Sequence, residues 1–317
     1  MQMMRMKWGQ LHKQCLMLLW LCVSVLCVGH AWAGDESGGF VWRVEKTGQP
    51  QAYLVGTVHL GKKGSSLSPT LQGLLKPSRT LVVESSEADW EGDKGLVLQR
   101  QMAVMMAADV PLQQSLGAKR VAAINQLLAK NGSLVRIQGD AKMAPWMAWM
   151  LMVTDYSMPG YDMASGIDVL MLQAAQKQKM RVVALETLEP MQAFKRIPKA
   201  VVLRGIDADL ANEAKSQREQ WQMLQHYHQG NSKALVTKVM DAEDSVSHYP
   251  KQDRLFWRQW MFGDLLQQRN VAWMPKLERQ IKQGPTVIAV GAAHLYGGSG
   301  LIVLLREWGY KVTPYRT

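Results

Sequence analysis

Four short apolar runs constrain this 317-residue chain more than anything else in it: YLV at 53–55, LVV at 81–83, VVAL at 182–185 and VIAV at 287–290. Runs this short and this rich in β-branched residues read as buried strands. Each is followed within four positions by a histidine or a glutamate: His59, Glu84, Glu186 and His294. FVWRVEK (40–46) and QAYLVGT (51–57), joined by T-G-Q-P, read as a hairpin, and YKVTPY (310–315) as a last strand. The stretch GPTVIAVGAAH (284–294) reads as a strand ending at its own histidine. Residues 61–78 read as loop or a short helix. Between the strands, 94–155, 166–178, 187–196 and most of 200–283 carry helical spacing of apolar residues. APWMAWMLMVTDY is apolar on most faces, so its helix is expected to be buried. The pattern predicts an α/β (mixed α+β) fold, with a central sheet drawn from both chain ends and the middle and long helical segments covering it.

Two of the strand ends match each other. V-G-T-V-H-L at 55–60 and V-G-A-A-H-L at 290–295 share one frame in a chain with 7 histidines. A lone G-x-x-H carries little, and a stray copy stands at Gly9-Gln10-Leu11-His12. The two later copies differ in context, because each follows an apolar strand and is followed by leucine and glycine. Open α/β sheets bind ligands at the carboxyl ends of their strands. The motifs therefore read as two halves of one site, with Gly56 and Gly291 permitting close backbone approach. An acid at the end of a buried strand, as at Glu84 and Glu186, needs a partner unless the strand end is exposed. By spacing alone Asp168 is a helix-start charge, and Arg269-Asn270 lies on a polar helix face.

The first 33 residues read as a signal peptide. Arg5, Lys7 and Lys13 precede an apolar run from Cys15 to Val28, and Ala31-Trp32-Ala33 supplies a small-x-small cleavage site. Uncleaved anchoring is the alternative. The 3 cysteines all fall in this segment, so residues 34–317 have neither disulfide nor thiolate chemistry. The expected location is periplasmic or secreted, with 34–317 as the working domain. Removing the segment leaves 34 basic against 26 acidic residues, a net charge of +8. That balance favours weak association with anionic envelope surfaces. No dense basic run with interleaved aromatics points to nucleic acid. The 21 methionines fall mostly in helices, where they fill gaps in cores.

YLVGTVHLG, LVVES, GIDVLMLQAAQKQKMRVVALETLEPMQAF, Arg269-Asn270 and VIAVGAAHLYGGSGLIVLLREWGYKV together resemble the TraB/GumN family, whose animal relatives are the Tiki metalloproteases. The order and spacing match from about residue 40 to 315. One departure is Glu189-Pro190-Met191-Gln192, where relatives commonly have glutamate-glutamine. The resemblance implies a fold related to the erythromycin-esterase and ChaN-like folds. It also implies a site built from His59, His294, Glu84 and other acids, and an arginine, here Arg269. On it, Asp168, Asn270, Gly56 and Gly291 support the site.

Two imidazoles and a carboxylate, His59, His294 and Glu84, suit a divalent Mn, Co, Fe or Zn ion with a position left for water. Glu186 or Glu84 then serves as general base, and Arg269 holds an anion. The leading expectation is a metal-dependent hydrolase, a peptidase, acting on a peptide or small molecule. The alternatives are a metal-free, esterase-like hydrolase with His59 as base, or a non-enzymatic envelope protein that binds haem, metal or another ligand. Neither an HExxH helix nor a G-x-S-x-G elbow is present.

Overall fold

Six of the expected β-rich runs meet in one sheet. The computed structural model describes residues 39–154 and 158–315, so the expected signal peptide lies outside the described residues. The strands are β1 (Val41–Glu45), β2 (Ala52–Thr57), β3 (Gly61–Lys62), β4 (Thr80–Val83), β5 (Tyr161–Asp162), β6 (Arg181–Ala184), β7 (Thr286–Gly291) and β8 (Lys311–Pro314). Among the described residues, six of them form a sheet in the order β6-β4-β7-β2-β1-β8, while β3 and β5 make a separate two-stranded ribbon. β1 pairs antiparallel with β2 as the hairpin predicts, and antiparallel with β8 on its other side. β6, β4, β7 and β2 run parallel to one another. The mixed α/β architecture is as expected.

The chain divides into two compact units. One holds residues 39–86, 158–187 and 214–315, and includes the whole six-stranded sheet. Its central strands are buried on both faces, which is why they read as continuous apolar runs rather than alternating ones. Leu81, Val83, Val287 and Ala289 face one way and pack with Leu71 and Leu75 of the Pro69–Leu75 helix and with Met171 and Ala175 of the Ile167–Lys177 helix. The other unit, residues 87–154 and 188–213, is helical. Its Pro145–Thr154 helix is buried nearly all round, as its composition requires. Trp146 and Trp149 lie against Phe194, and Trp149 Nε1 donates to Asp209 at 2.7 Å. No described helix is long and apolar enough to cross a membrane.

Three local features differ from the sequence expectation. β7 stops at Gly291, and Ala292–His294 forms a short 3-10 turn, so His294 stands one turn beyond the strand. Residues 61–78 contain both a strand of the small ribbon and a helix capped by the Ser68 side chain. Within the helical 200–283 stretch, Gln259–Gln267 winds as a π-helix, in which the Gln268 N–H reaches back five residues to the Gly263 carbonyl.

Glycines set how closely the strand ends meet. In the parallel register Thr57 lies opposite Gly291 and Gly56 opposite Val290, so the matching motifs are one residue out of step. A Cβ on Gly56 would stand 3.1 Å from the Ala292 Cα and 3.0 Å from Leu295 Cδ2. The loop after β2 then runs against the start of the Ile167–Lys177 helix, where Ile167 N donates to the Val58 carbonyl. A Cβ on Gly61 would fall 1.7 Å from the Ser165 carbonyl oxygen, and one on Gly166 only 2.4 Å from that of His59. Gly166→Ala is expected to cost about 1–3 kcal/mol or more, because the obstruction is backbone rather than a yielding side chain. Urea unfolding measures this. A loss indistinguishable from zero would mean that the two segments are not held this close.

Candidate functional site

Four adjacent parallel strands each deliver one polar residue past the same edge of the sheet. These are Glu186 after β6, Glu84 after β4, His294 after β7 and His59 after β2. The Gln268–Gln283 helix adds Arg269 and Asn270, both buried. The Ile167–Lys177 helix adds Asp168 from its first turn, also buried. All the residues expected at the site therefore lie in one unit of the chain.

Arg269 is the hub. Its Nε donates to Glu186 Oε2 at 2.9 Å, and one terminal nitrogen donates to Glu84 Oε2 at 2.7 Å and to Glu186 Oε1. The other donates to the Leu265 carbonyl at 2.9 Å and to His294 Nε2 at 3.3 Å. A guanidinium has five N–H donors in a fixed fork, and each has an acceptor here. Burial opposes the arginine's charge, but the two carboxylates more than offset it and raise its pKa further. Trp273, one turn along the helix, lies under the guanidinium at 4.9 Å and donates from Nε1 to Glu186 Oε2 at 3.1 Å. Burial pushes the Glu186 carboxyl up, against the pull of Arg269. The other oxygen of Glu84 accepts from the Gly291 backbone N–H at 2.7 Å.

The two histidines are held in different states. The Asn270 amide nitrogen donates to the carbonyls of Ser299 and His294, which fixes its oxygen towards His294 Nδ1 at 2.5 Å. An amide oxygen only accepts, so Nδ1 carries the proton and Nε2 accepts from Arg269. Burial, with Arg269 and His59 adding to it, pulls His294 well below the ordinary imidazole range, so it is neutral. His59 Nδ1 instead meets Asp168 Oδ2 at 2.7 Å, both side chains being buried. Burial is the largest influence and opposes a charge on His59. The attraction and hydrogen bond of Asp168, helped by Glu84, outweigh it and raise the pKa. Tyr227 donates from its hydroxyl to the Gly56 carbonyl at 2.7 Å and so braces the strand end that precedes His59.

The expected metal ligands were His59, Glu84 and His294. His294 Nε2 and Glu84 Oε1 are 3.9 Å apart, within the ~4 Å that two atoms each about 2 Å from one ion can span. Yet both atoms already receive hydrogen bonds, from Arg269 and from Gly291. Among the described residues no group of three or more His, Cys, Asp or Glu side chains is arranged to hold an ion. As these side chains stand, the acceptors fit a guanidinium rather than a divalent cation.

Sequence spacing made Arg269-Asn270 a polar helix face, and the structure corrects this. Both are buried because Glu84 and Glu186 need a counter-charge and His294 needs an acceptor. Arg269 was also expected to hold an anion, but its N–H groups all go to the protein itself. Asp168 is both a helix-start charge and the partner of His59. Trp273 and Tyr227 were not anticipated. The one available signal was that Trp273 follows Arg269 by four residues, on the same helical face.

Removing Arg269 leaves the buried carboxylate of Glu186 and the partly buried one of Glu84 without their cation. Arg269→Met is expected to destabilise the chain by about 3–5 kcal/mol in urea unfolding. Adding Glu84→Gln and Glu186→Gln to it should recover a large part of that loss. A cost below about 1 kcal/mol for Arg269→Met would contradict the hub.

A sequence model described as the TraB/PrgY/gumN family matches residues 40–314. Two proteins, each named "Uncharacterized protein YbaP", from Shigella flexneri and from Escherichia coli (strain K12), are 25% identical over 284 residues. In each case the match spans 87% of this chain and 96% of the relative.

Proposed function

This chain belongs to the TraB/PrgY/gumN family, and from that premise we propose that it is an exported hydrolase that cleaves an amide or ester, with His59 as the general base. The observation that carries the reading is the buried His59–Asp168 pair at 2.7 Å, beside a fixed cationic arginine at the carboxyl edge of a parallel sheet.

With Nδ1–H given to Asp168, the neutral imidazole keeps its basic lone pair on Nε2. A water donates a proton to that nitrogen as its oxygen attacks the carbonyl carbon. The bond to the leaving nitrogen or oxygen then breaks, and His59 returns the proton to it. Asp168 holds the tautomer and stabilises the imidazolium formed in between. Arg269 acts through its field, since a positive charge in a buried setting favours the oxyanion of the intermediate. Glu84 and Glu186 hold that charge in place, and neutral His294 adds none of its own. The haem-binding alternative has less support, because the Tyr296 hydroxyl donates to the Gly39 carbonyl and His294 is fully buried.

The base works only when neutral, so activity is expected to rise with pH through the raised pKa of His59. The midpoint of kcat/KM should lie above the ordinary value of about 6.5. Stability runs the other way. The raised pKa means that the pair's contribution is complete below about pH 6.5 and is lost as pH climbs through the folded value. Asp168→Asn should lower the midpoint and reduce kcat/KM by about 10²–10⁴-fold.

The screen uses aryl esters and amino-acid arylamides, each with chelator and with added Mn, Co or Zn. Hydrolysis that survives chelation and disappears in His59→Ala is the expected result. Hydrolysis that requires an added ion would overturn the metal-free mechanism, and hydrolysis unaffected by His59→Ala would overturn the role of the base.

A further inference from the structure

The cavity next to the candidate centre has a chemistry of its own. It measures about 510 Å³ and lies between the π-helical Gln259–Gln267 segment and the 296–299 loop that follows His294. That size is ordinary for a small-molecule site. Asn270 lines it and also bonds His294 Nδ1 and the Ser299 carbonyl, so one residue joins the cavity to the site.

Its charged wall groups already have partners. Arg258 is paired with Glu243 at 2.8 Å, and Asp264 accepts from the Gln268 amide at 2.7 Å. The polar side chains left over include the carboxamides of Gln259 and Gln267, both on the exposed side of the wall, and the Ser299 hydroxyl, none of which makes a side-chain hydrogen bond among the described residues. A carboxamide donates and accepts side by side, which matches another amide at two points and a carboxylate or an ammonium at one. Phe262 and Leu266 supply the apolar remainder of the wall.

We propose that this cavity is the subsite for an uncharged, amide-bearing group of the substrate, placed next to the bond that is cut. The assignment rests on the hydrolase reading for what is cut, and on the cavity alone for what is held. Two sources share that chemistry, a backbone amide and an asparagine or glutamine side chain.

Gly263 provides the test. It lines the cavity, and a Cβ there would meet nothing within 4 Å. A side chain can therefore start from Gly263 without a clash, and Gly263→Trp is expected to occupy the subsite. The probes are the α-N-acetyl methylamides of glutamine, glycine, lysine and glutamate, with methyl glucoside as a non-amide control. Binding is followed by ligand-observed NMR on the full chain. The glutamine probe is expected to bind about tenfold or more tightly than the lysine and glutamate probes, because a site built for paired amide hydrogen bonds rejects groups that leave them unmade. Binding should disappear in Gly263→Trp and weaken in the Gln259→Leu/Gln267→Leu pair, with the thermal midpoint unchanged in both. A glycine probe equal to glutamine assigns the cavity to a backbone amide; a weaker one assigns it to the side chain.

Equal binding of charged and neutral probes, a preference for methyl glucoside, binding that survives Gly263→Trp, or no binding at all would each overturn the assignment. Failure of the hydrolase reading looks different. Amide binding at the cavity with no hydrolysis of any ester or arylamide would sink that reading and leave the subsite standing.

Discussion

The guanidinium of Arg269 is the constraint on which the site depends. A buried carboxylate beside a partly buried one, at the ends of adjacent strands, is costly without a cation, and so is a single buried arginine without an acid. Joined through a fork that engages both acids, a backbone carbonyl and an imidazole, each makes the others tolerable. The consequences spread outward. Glu84 ties the Gly291 N–H to the end of β4, Trp273 is drawn against Glu186, and His294 is kept neutral by its burial, with the positive charge at its Nε2 adding to it.

The sheet explains why these groups meet at all. Parallel strands place equivalent ends on one edge, so side chains far apart in sequence arrive together. Glu84 and Arg269 are 185 positions apart, and His59 and Asp168 are 109 apart. Glycine then decides the spacing. Gly61 and Gly166 allow two backbone approaches that a Cβ would obstruct, and both bring the His59 loop onto the start of the helix that carries Asp168, while a Cβ on Gly56 would crowd Ala292 and Leu295. The histidines share a motif but not a state, because one faces an aspartate and the other an arginine.

Much of this was legible in the sequence. Short β-branched runs bounded by polar residues located the strands of the large sheet, and the repeated Gly-x-x-His placed both histidines at strand ends. The helix over 167–177 and the buried helix at 145–154 followed from apolar spacing. Arg269 and Asn270 were not legible from spacing, since a charged and a polar residue on an amphipathic helix ordinarily face water. Only the long-range need of Glu84 and Glu186 for a cation reverses that, and pairing across the fold leaves no local mark. The π-helical turn before Arg269 is likewise a tertiary outcome, as are the one-residue offset between the two motifs and the turn that carries His294 past its strand. Residue type suits His59, Glu84 and His294 to a divalent ion, but it carries no information about which acceptors an arginine occupies.

The most direct test of this electrostatic arrangement is the protonation state of the two histidines, read from ring-nitrogen chemical shifts by NMR across about pH 5 to 8. His294 is predicted to remain neutral throughout, with its proton on Nδ1, while His59 titrates with a midpoint above the ordinary value of about 6.5. A His294 that titrates within this window, or a His59 that becomes neutral below that value, would contradict a site organised around Arg269 and the His59–Asp168 pair.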